Sequence, residues 1–236
     1  MVRELRSLWR RWRRRRLHRM APVHRSVHEL LKDARGVIHV GANKGQEAPL
    51  YDRYDLPVLW VEADPETAVL LKERIADYPN QTAVCALLSE HPGEEHRFHV
   101  ADNGGQSSSL LVPKLHTTVW PEVRFTRAVP LISTTLDLLL ADLAVAKGQF
   151  DILVMDTQGS ELLVLKGATC TLASIRGVKA EASDFEAYEG GCKVDELDLW
   201  LTSQGFSRYD FEEASSTPGI GSFYEVFYKK DRDSNL

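Results

Sequence analysis

A glycine-rich loop, VGANKGQ at residues 40–46, is the first feature of the sequence that could bind a ligand. Its small residues let a ligand approach the backbone, and the helix expected after it offers unpaired N–H groups. Neither GxGxxG nor GxxxxGKS/T is present, so the loop favours a nucleoside without a pyrophosphate. A structural turn between a strand and a helix is the alternative. The predicted contacts are Gly41, Ala42, Asn43, Gly45 and Gln46.

Glu62 is the first acidic residue that could bind a ligand. It ends the apolar run VLWV and lies 21 positions after Gly41, close to the roughly 20-residue spacing at which an acid meets a ribose in Rossmann-type sites. Its carboxylate can accept hydrogen bonds from both ribose hydroxyls, whereas a surface ion pair is the alternative role. We therefore predict that Glu62 and the neighbouring Ala63 contact a nucleoside.

A second acidic motif, MDTQGSELLVLKGA at residues 155–168, follows another buried-strand pattern. Asp156 is expected to face the same crevice as Glu62, while Gly159 permits a turn and Ser160 can cap the helix that carries Glu161. In the alternative interpretation, Asp156 and Glu161 only satisfy the unpaired N–H groups of that helix.

An acid or histidine beside a substrate hydroxyl can take its proton as a general base. The candidates are Asp156 and Glu161, then Glu181 and Asp184 beyond the next strand, and His116 in a loop. A divalent cation held by Asp156, Glu181 and Asp184 is an alternative way to lower the hydroxyl pKa. No metal-spaced triad is evident in the sequence, so we predict no metal site.

The elements that must position these residues alternate between strand and helix patterns. Strands are predicted at 36–40, 57–63, 81–89, 96–102, 124–133, 150–156 and 177–183, with a closing hairpin at 207–214 and 221–230. Helices are predicted at 47–54, 65–78, 134–148, 160–172 and 193–206, with Asp64 as an N-cap and Gly148 as a helix end. This alternation indicates a mostly parallel sheet covered by helices on both faces, with ligands bound at the carboxyl ends of its strands.

Composition favours one globular α/β domain with an appendage. The 236 residues are 43% apolar and 27% charged, which excludes a mostly disordered or collagen-like protein. Residues 1–25 hold ten arginines and one acid, although the net charge of the chain is −5. We therefore predict a basic arm at 1–25 and a domain at 26–236. The arm could lie on an anionic membrane or a phosphate backbone, or remain a solvated extension.

The cellular location can also be predicted. The three cysteines form no CxxC pair, which favours neither a disulfide framework nor a zinc knuckle. No stretch approaches the roughly 18 uninterrupted apolar residues that a membrane-spanning helix needs, and the basic start lacks the apolar core of a signal peptide. We expect a cytoplasmic protein that the arm could hold at the inner membrane face.

Several motifs together resemble the FkbM-type methyltransferases. They include VIHVGANKGQEAPLY, VLWVEADPETAVLLKERI, GQSSSLL and DILVMDTQGSELLVLKGA, and the resemblance runs from about residue 36 to residue 228. The run D-x-x-G-x-E-x-x-x-L-x-G at 156–167 is its most specific part. The resemblance implies a class I, Rossmann-like sandwich with seven mostly parallel strands and an antiparallel last strand. It also implies S-adenosylmethionine as the cofactor and O-methylation of a glycan, lipid-linked sugar or secondary metabolite.

Two details extend this resemblance. The segment 103–118 contains GQSSSLL and lacks periodicity, so we expect it to close over the cofactor with Ser107 and Ser108 offering hydroxyls. His39 departs from the family pattern, which has an acid at this position of the first strand. His39 is expected to be a hydrogen-bonded core residue; the alternative is that it alters cofactor contacts near Gly41.

Two other functions stay open. A nucleic-acid-directed methyltransferase could use the arm for phosphate contacts, but the acidic body of the chain and the absence of an N-P-P-Y-type tetrapeptide make nucleic acid an unlikely partner. A non-catalytic module that only binds the cofactor is the other alternative. The expected partner is a small-molecule or glycan acceptor.

Overall fold

The computed structural model describes residues 23–231. Residues 1–22 of the predicted arm, and with them the expectations about membranes and phosphate backbones, lie outside the described residues. Helix α1 begins at Arg25, and its Leu30 and Leu31 are buried in the core. Among the described residues, no helix combines the length and the apolar character that crossing a bilayer requires.

Within the described residues the chain alternates between strands and helices, as expected from the sequence. The strands are β1 (Val37–Val40), β2 (Val58–Glu62), β3 (Gln81–Cys85), β4 (Leu87–Leu88), β5 (Glu95–Ala101), β6 (Phe125–Thr134), β7 (Ile152–Met155), β8 (Gly177–Ser183), β9 (Phe206–Thr217) and β10 (Gly221–Lys230). The helices are α1 (Arg25–Leu31), α2 (Ala48–Arg53), α3 (Pro65–Ile75), α4 (His116–Val119), α5 (Leu136–Asp142), α6 (Glu161–Lys166), α7 (Thr169–Leu172) and α8 (Val194–Ser203).

The central sheet has seven strands in the order β3-β2-β1-β7-β8-β10-β9. The first five of these are parallel, and β10 pairs antiparallel with both β8 and β9. The expected mostly parallel sheet with an antiparallel last strand is confirmed. The carboxyl ends of β1, β2, β7 and β8 therefore meet at one edge, where Glu62 and Asp156 follow their strands.

Helices cover both faces of this sheet, which explains why every residue of β1, β2 and β7 is buried. Helices α1, α2 and α3 pack against the face that carries Trp60 and Val154. Helices α5 to α8 pack against the face that carries Val40 and Met155. The expected start of α3 is confirmed, because Asp64 accepts a hydrogen bond from Thr67 N (3.3 Å) and Pro65 is the first helical residue.

Three predicted elements differ most from the structure, two of them because of a contact between distant residues. The strand predicted at 81–89 ends at Cys85, and Leu87–Leu88 pairs with β6 in a second, three-stranded sheet. The helix predicted at 134–148 ends at Asp142, since Ala144 takes a positive φ of 51°. The helix predicted at 160–172 divides at Gly167, where a Cβ atom would lie only 2.3 Å from Ser89 O.

The second sheet carries the segment that was expected to form a functional loop. Strands β5 and β6 form an antiparallel pair, and residues 102–124 connect them. This connection includes the short helix α4. Its contacts reach the loops after β1 and β7, because Gly104 O accepts from Asn43 Nδ2 (3.0 Å) and Ser109 Oγ donates to Gln158 O (2.8 Å).

Candidate functional site

A cavity of about 610 Å³ lies at the carboxyl ends of β1, β2, β7 and β8. The predicted site residues that line it are Gly41, Ala42, Asn43, Gln46, Glu62, Ala63, Ser107, Ser108, Asp156 and Glu181. His116 also lines it, whereas Gly45, Glu161 and Asp184 do not. The structure thus brings most of the predicted residues to one place, although they come from five separate parts of the chain.

The loop after β1 is pressed against the end of β7. Gly41 has a φ of +73°, and a Cβ atom there would lie only 1.8 Å from Asp156 O. Only glycine fits this position without a shift of the backbone. Gly45 packs against α3 instead of facing the cavity, since a Cβ atom on it would lie 2.7 Å from Leu71 Cδ1.

Glu62 joins the loops after β1 and β2. Its Oε2 accepts a hydrogen bond from Asn43 N (2.7 Å), and its Oε1 accepts one from Asp64 N (2.9 Å). Burial raises the pKa of Glu62 to about 7, and the two backbone N–H groups oppose this rise. A carboxylate has about four lone-pair sites, so both oxygens can still accept a hydroxyl from a ligand.

Gln158 links two carboxyl groups that line the cavity. Its Nε2 donates to Asp156 Oδ1 (2.6 Å) and to Glu181 Oε2 (2.8 Å), while its Oε1 accepts from Tyr188 OH (2.9 Å). The charge of Asp156 and then burial raise the pKa of Glu181 well above its ordinary value. The environment therefore favours the protonated form of Glu181.

Sequence reasoning missed Gln158, although it lies inside the most specific motif. It has a positive φ of 54°, which is uncommon for a residue other than glycine and is typical of functional turns. Nothing in the local pattern reveals that its amide reaches Glu181 on the next strand.

Glu161 faces the protein interior instead of the cavity. It is 0% exposed, and its Oε1 accepts from Thr157 N (2.7 Å), Thr157 Oγ1 (3.0 Å) and Gly159 N (3.3 Å). Burial raises its pKa to about 7. The side chain thus has a structural role, as in the alternative interpretation, but the N–H groups that it satisfies belong to the 157–159 turn and not to the helix.

Protein stability should decrease as the pH rises through the interval between 4.5 and about 7, because folding raises the pKa of Glu62 and Glu161 across it. In this interval the folded state binds more protons than the unfolded state, so a higher pH favours unfolding; above the folded-state pKa the loss is complete. Glu161→Gln removes one of the two titrating groups. Its Tm should therefore fall less than the Tm of the parent as the pH rises from 4.5 to about 7.

Thermal unfolding at several pH values tests this expectation. Glu73→Gln, on the exposed side of α3, is the matched control and should follow the parent curve. A Glu161→Gln protein whose Tm decreases as steeply as that of the parent would contradict the assignment.

His39 is a buried, neutral residue next to the glycine-rich loop. Its Nδ1 lies 2.9 Å from Tyr51 OH, and its ring stacks on Trp60 with centroids 4.7 Å apart. Burial lowers the pKa of His39 to about 3. The structure thus agrees with the expected hydrogen-bonded core residue, although one side of His39 also lines the cavity.

Residues 103–118, here called the covering segment, carry the two predicted serines, Ser107 and Ser108. Both hydroxyls already have protein partners. Ser107 Oγ lies 2.9 Å from His116 Nε2, and Ser108 Oγ accepts from Ala101 N (3.1 Å). Both residues line the cavity. Their hydroxyls therefore stabilise the conformation of the covering segment, and contact with a ligand stays a prediction.

The charges around the cavity are mostly acidic. Its ionisable lining residues are Glu47, Glu62, Glu122, Asp156, Glu181, His39 and His116, and no lysine or arginine of residues 23–231 lines it. Asp184 is directed to β10, where it accepts from Ser222 N (2.8 Å) and Tyr224 OH (3.0 Å). The described part of the chain contains no group of three acidic, histidine or cysteine side chains able to hold a metal ion.

Comparison with known proteins gives a consistent picture. The chain is similar to the 2-O-methyltransferase NoeI of Sinorhizobium fredii, with 29% identity over 177 residues, 71% of this chain and 72% of the relative. Among solved structures, it is similar to the 1,6-didemethyltoxoflavin-N1-methyltransferase of Burkholderia thailandensis. That structure covers 88% of this chain and 75% of its own, with 11% identity and a TM-score of 0.50, which supports a class I methyltransferase fold.

The sequence profile of the methyltransferase FkbM domain matches residues 39–208. This match begins at His39 on β1 and includes the glycine-rich loop, Glu62, the covering segment and the Asp156 motif. Because the matched region is well over half of the chain and contains the carboxyl ends of β1, β2, β7 and β8, the chain belongs to the FkbM methyltransferase family.

Proposed function

We propose that the protein transfers a methyl group from S-adenosylmethionine to a hydroxyl oxygen of an uncharged acceptor, such as a glycan, a lipid-linked sugar or a secondary metabolite. The observation that carries the proposal is the pair of carboxyl groups, Asp156 and Glu181, joined by Gln158 beside the glycine-rich loop. The name of the similar protein NoeI, a 2-O-methyltransferase, supports oxygen as the methylated atom.

The residues of the cavity fit this cofactor. A volume of about 610 Å³ is ample for a nucleoside-sized ligand together with part of an acceptor. Glu62 has free lone pairs for the ribose hydroxyls, and Gly41 lets the glycine-rich loop pack directly against the end of β7 at the cavity. The apolar lining residues Leu87, Phe98 and Leu110 offer a surface for the adenine ring.

S-adenosylmethionine supplies an electrophilic methyl group on a sulfonium. The chain must hold an acceptor hydroxyl in line with that methyl group and remove the hydroxyl proton. Asp156 is the proposed base, and Glu181 keeps the neighbouring proton. Gln158 fixes the distance between the two carboxyl groups, and Glu161 acts as a positioning residue because it holds the turn that carries Gln158.

The acidic lining supports an acceptor without phosphate at the reacting end. A phosphate group in the cavity would meet several carboxyl groups and no lysine or arginine of the described residues. Nucleic-acid binding relies on such cations to neutralise phosphates. A nucleic-acid substrate is therefore disfavoured.

The test is acceptor-dependent release of S-adenosylhomocysteine. The full chain is incubated with S-adenosylmethionine and, separately, with neutral glycan, glycolipid, small-metabolite and RNA fractions, followed by mass spectrometry for the gain of one methyl group. We expect release with a neutral hydroxyl-bearing fraction and none with RNA. Release with RNA would support the nucleic-acid alternative, and cofactor binding without turnover on any fraction would support a non-catalytic module.

A further inference from the structure

His116, on the covering segment, has one ring nitrogen without a partner. The residue is 2% exposed and lines the cavity. Its ring packs against Phe125 and Tyr188, with centroid distances of 5.6 and 5.2 Å. Its Nε2 lies 2.9 Å from Ser107 Oγ, but no atom of residues 23–231 forms a hydrogen bond with the buried Nδ1. An unpaired polar atom in this position is costly unless a ligand satisfies it.

The neighbouring hydrogen bonds determine which nitrogen carries the proton. Ser107 N can only donate, and it lies 3.2 Å from Asn103 Oδ1, so the amide nitrogen of Asn103 faces Ser107 Oγ at 2.9 Å and donates to it. Ser107 Oγ has no other partner among the described residues, so its hydroxyl hydrogen can bond only to His116 Nε2. A proton on Nε2 would leave both this hydrogen and the Nδ1 lone pair unpaired, whereas a proton on Nδ1 leaves only the Nδ1–H group unpaired, which favours Ser107 as the donor to Nε2.

Burial lowers the pKa of His116, so the ring is neutral at pH 7 and carries a single proton. Because Nε2 accepts from Ser107, that proton is on Nδ1. His116 therefore presents an N–H donor, and the lone pair that a general base needs is already occupied. This arrangement argues against the role of general base that the sequence suggested for His116.

We propose that His116 donates its Nδ1–H to the carboxylate of the bound S-adenosylmethionine. The inference rests on the proposed function, since it requires the cavity to bind this cofactor. The carboxylate needs donors, and no lysine or arginine of the described residues lines the cavity to provide a charged one. Neutral donors must hold it instead, and the His116 N–H is a buried one that lacks a protein partner.

The position of His116 favours the amino-acid half of the cofactor over the nucleoside half. Its ring contacts Tyr188, whose hydroxyl bonds to Gln158 between the two carboxyl groups. Glu62 and the apolar residues around Phe98 are the groups suited to the nucleoside half. His116 is thus a cofactor-binding residue next to the reacting end.

Calorimetric titration with two ligands tests the proposal. S-adenosylhomocysteine has the carboxylate, whereas 5′-methylthioadenosine keeps the nucleoside and lacks the amino-acid part. His116→Gln can still accept from Ser107 but has no donor at the Nδ1 position. We expect it to weaken S-adenosylhomocysteine binding about tenfold and 5′-methylthioadenosine binding less than twofold.

His116→Asn is the rescue variant, because its amide can place an N–H group at the former Nδ1 position. It should recover most of the affinity for S-adenosylhomocysteine. His91→Gln, at an exposed histidine outside the cavity, is the matched control and should bind both ligands like the parent. The Tm of each variant, measured without ligand, shows whether a weaker affinity results from a loss of folding.

Nitrogen-15 NMR of the parent protein gives a second readout that does not depend on any variant. The Nδ1-protonated form of His116 should dominate without ligand, and S-adenosylhomocysteine should shift the Nδ1 resonance. The proposal fails if Nε2 is the protonated nitrogen, if His116→Gln binds S-adenosylhomocysteine within twofold of the parent, or if it weakens both ligands equally. A parent protein that binds neither ligand overturns the proposed function as well, so the two failures are distinguishable.

Discussion

Asp156→Asn is expected to lower kcat by about 10²–10⁴-fold, the usual contribution of a positioned general base. Asparagine keeps the size of the side chain and can still bond to Gln158, but it cannot take a proton from the acceptor hydroxyl. The protein should remain folded, because Asp156 lies at the edge of the cavity and is not part of the core. Single-turnover rates at saturating S-adenosylmethionine measure the effect on the chemical step.

Glu181→Gln is the matched control for this prediction. The raised pKa of Glu181 favours its protonated form, which a glutamine side chain resembles. We expect kcat to stay within about tenfold of the parent. If Glu181→Gln lowers kcat as much as Asp156→Asn does, the assignment of Asp156 alone as the general base is wrong. If Asp156→Asn keeps the full kcat of the parent, the pair of carboxyl groups does not take part in proton removal.

Glu62→Ala is expected to weaken S-adenosylhomocysteine binding by at least about tenfold. The change removes the acceptors for the ribose hydroxyls, and it also leaves Asn43 N and Asp64 N without their partner. Glu62→Gln keeps one oxygen acceptor, so its loss should be smaller. Calorimetric titration beside melting curves separates ligand binding from folding.

The affinity of the parent should also depend on pH. Burial gives Glu62 a pKa of about 7, and the ionised form is the better acceptor for hydroxyls. S-adenosylhomocysteine binding should therefore tighten as the pH rises through 7, and Glu62→Gln should lose this contribution. If Glu62→Ala binds within twofold of the parent, the ribose assignment is wrong; if it unfolds, Glu62 is chiefly the structural link between the two loops.

Features set by residues close together in the chain were predictable. Asp64 and Pro65 start α3 because an N-cap and a first-turn proline act over a single turn. Glu62 and Asp156 reach the same edge of the sheet because parallel strands place their carboxyl ends together. The alternating pattern therefore sufficed for a mostly parallel sheet and for the edge at which the site lies, whereas the number of strands and the antiparallel last strand were implied by the family resemblance.

Only the tertiary structure decided the orientation of the acidic side chains and the state of their protons. Glu161 follows Asp156 across the short turn between β7 and α6, yet it is buried while Asp156 faces the cavity, and no local pattern separates the two. Gln158 pairs the carboxyl groups because β7 and β8 lie side by side. The proton on His116 depends on Asn103 and Ser107. Burial and contacts between separate segments set these properties, and neither can be read from local sequence.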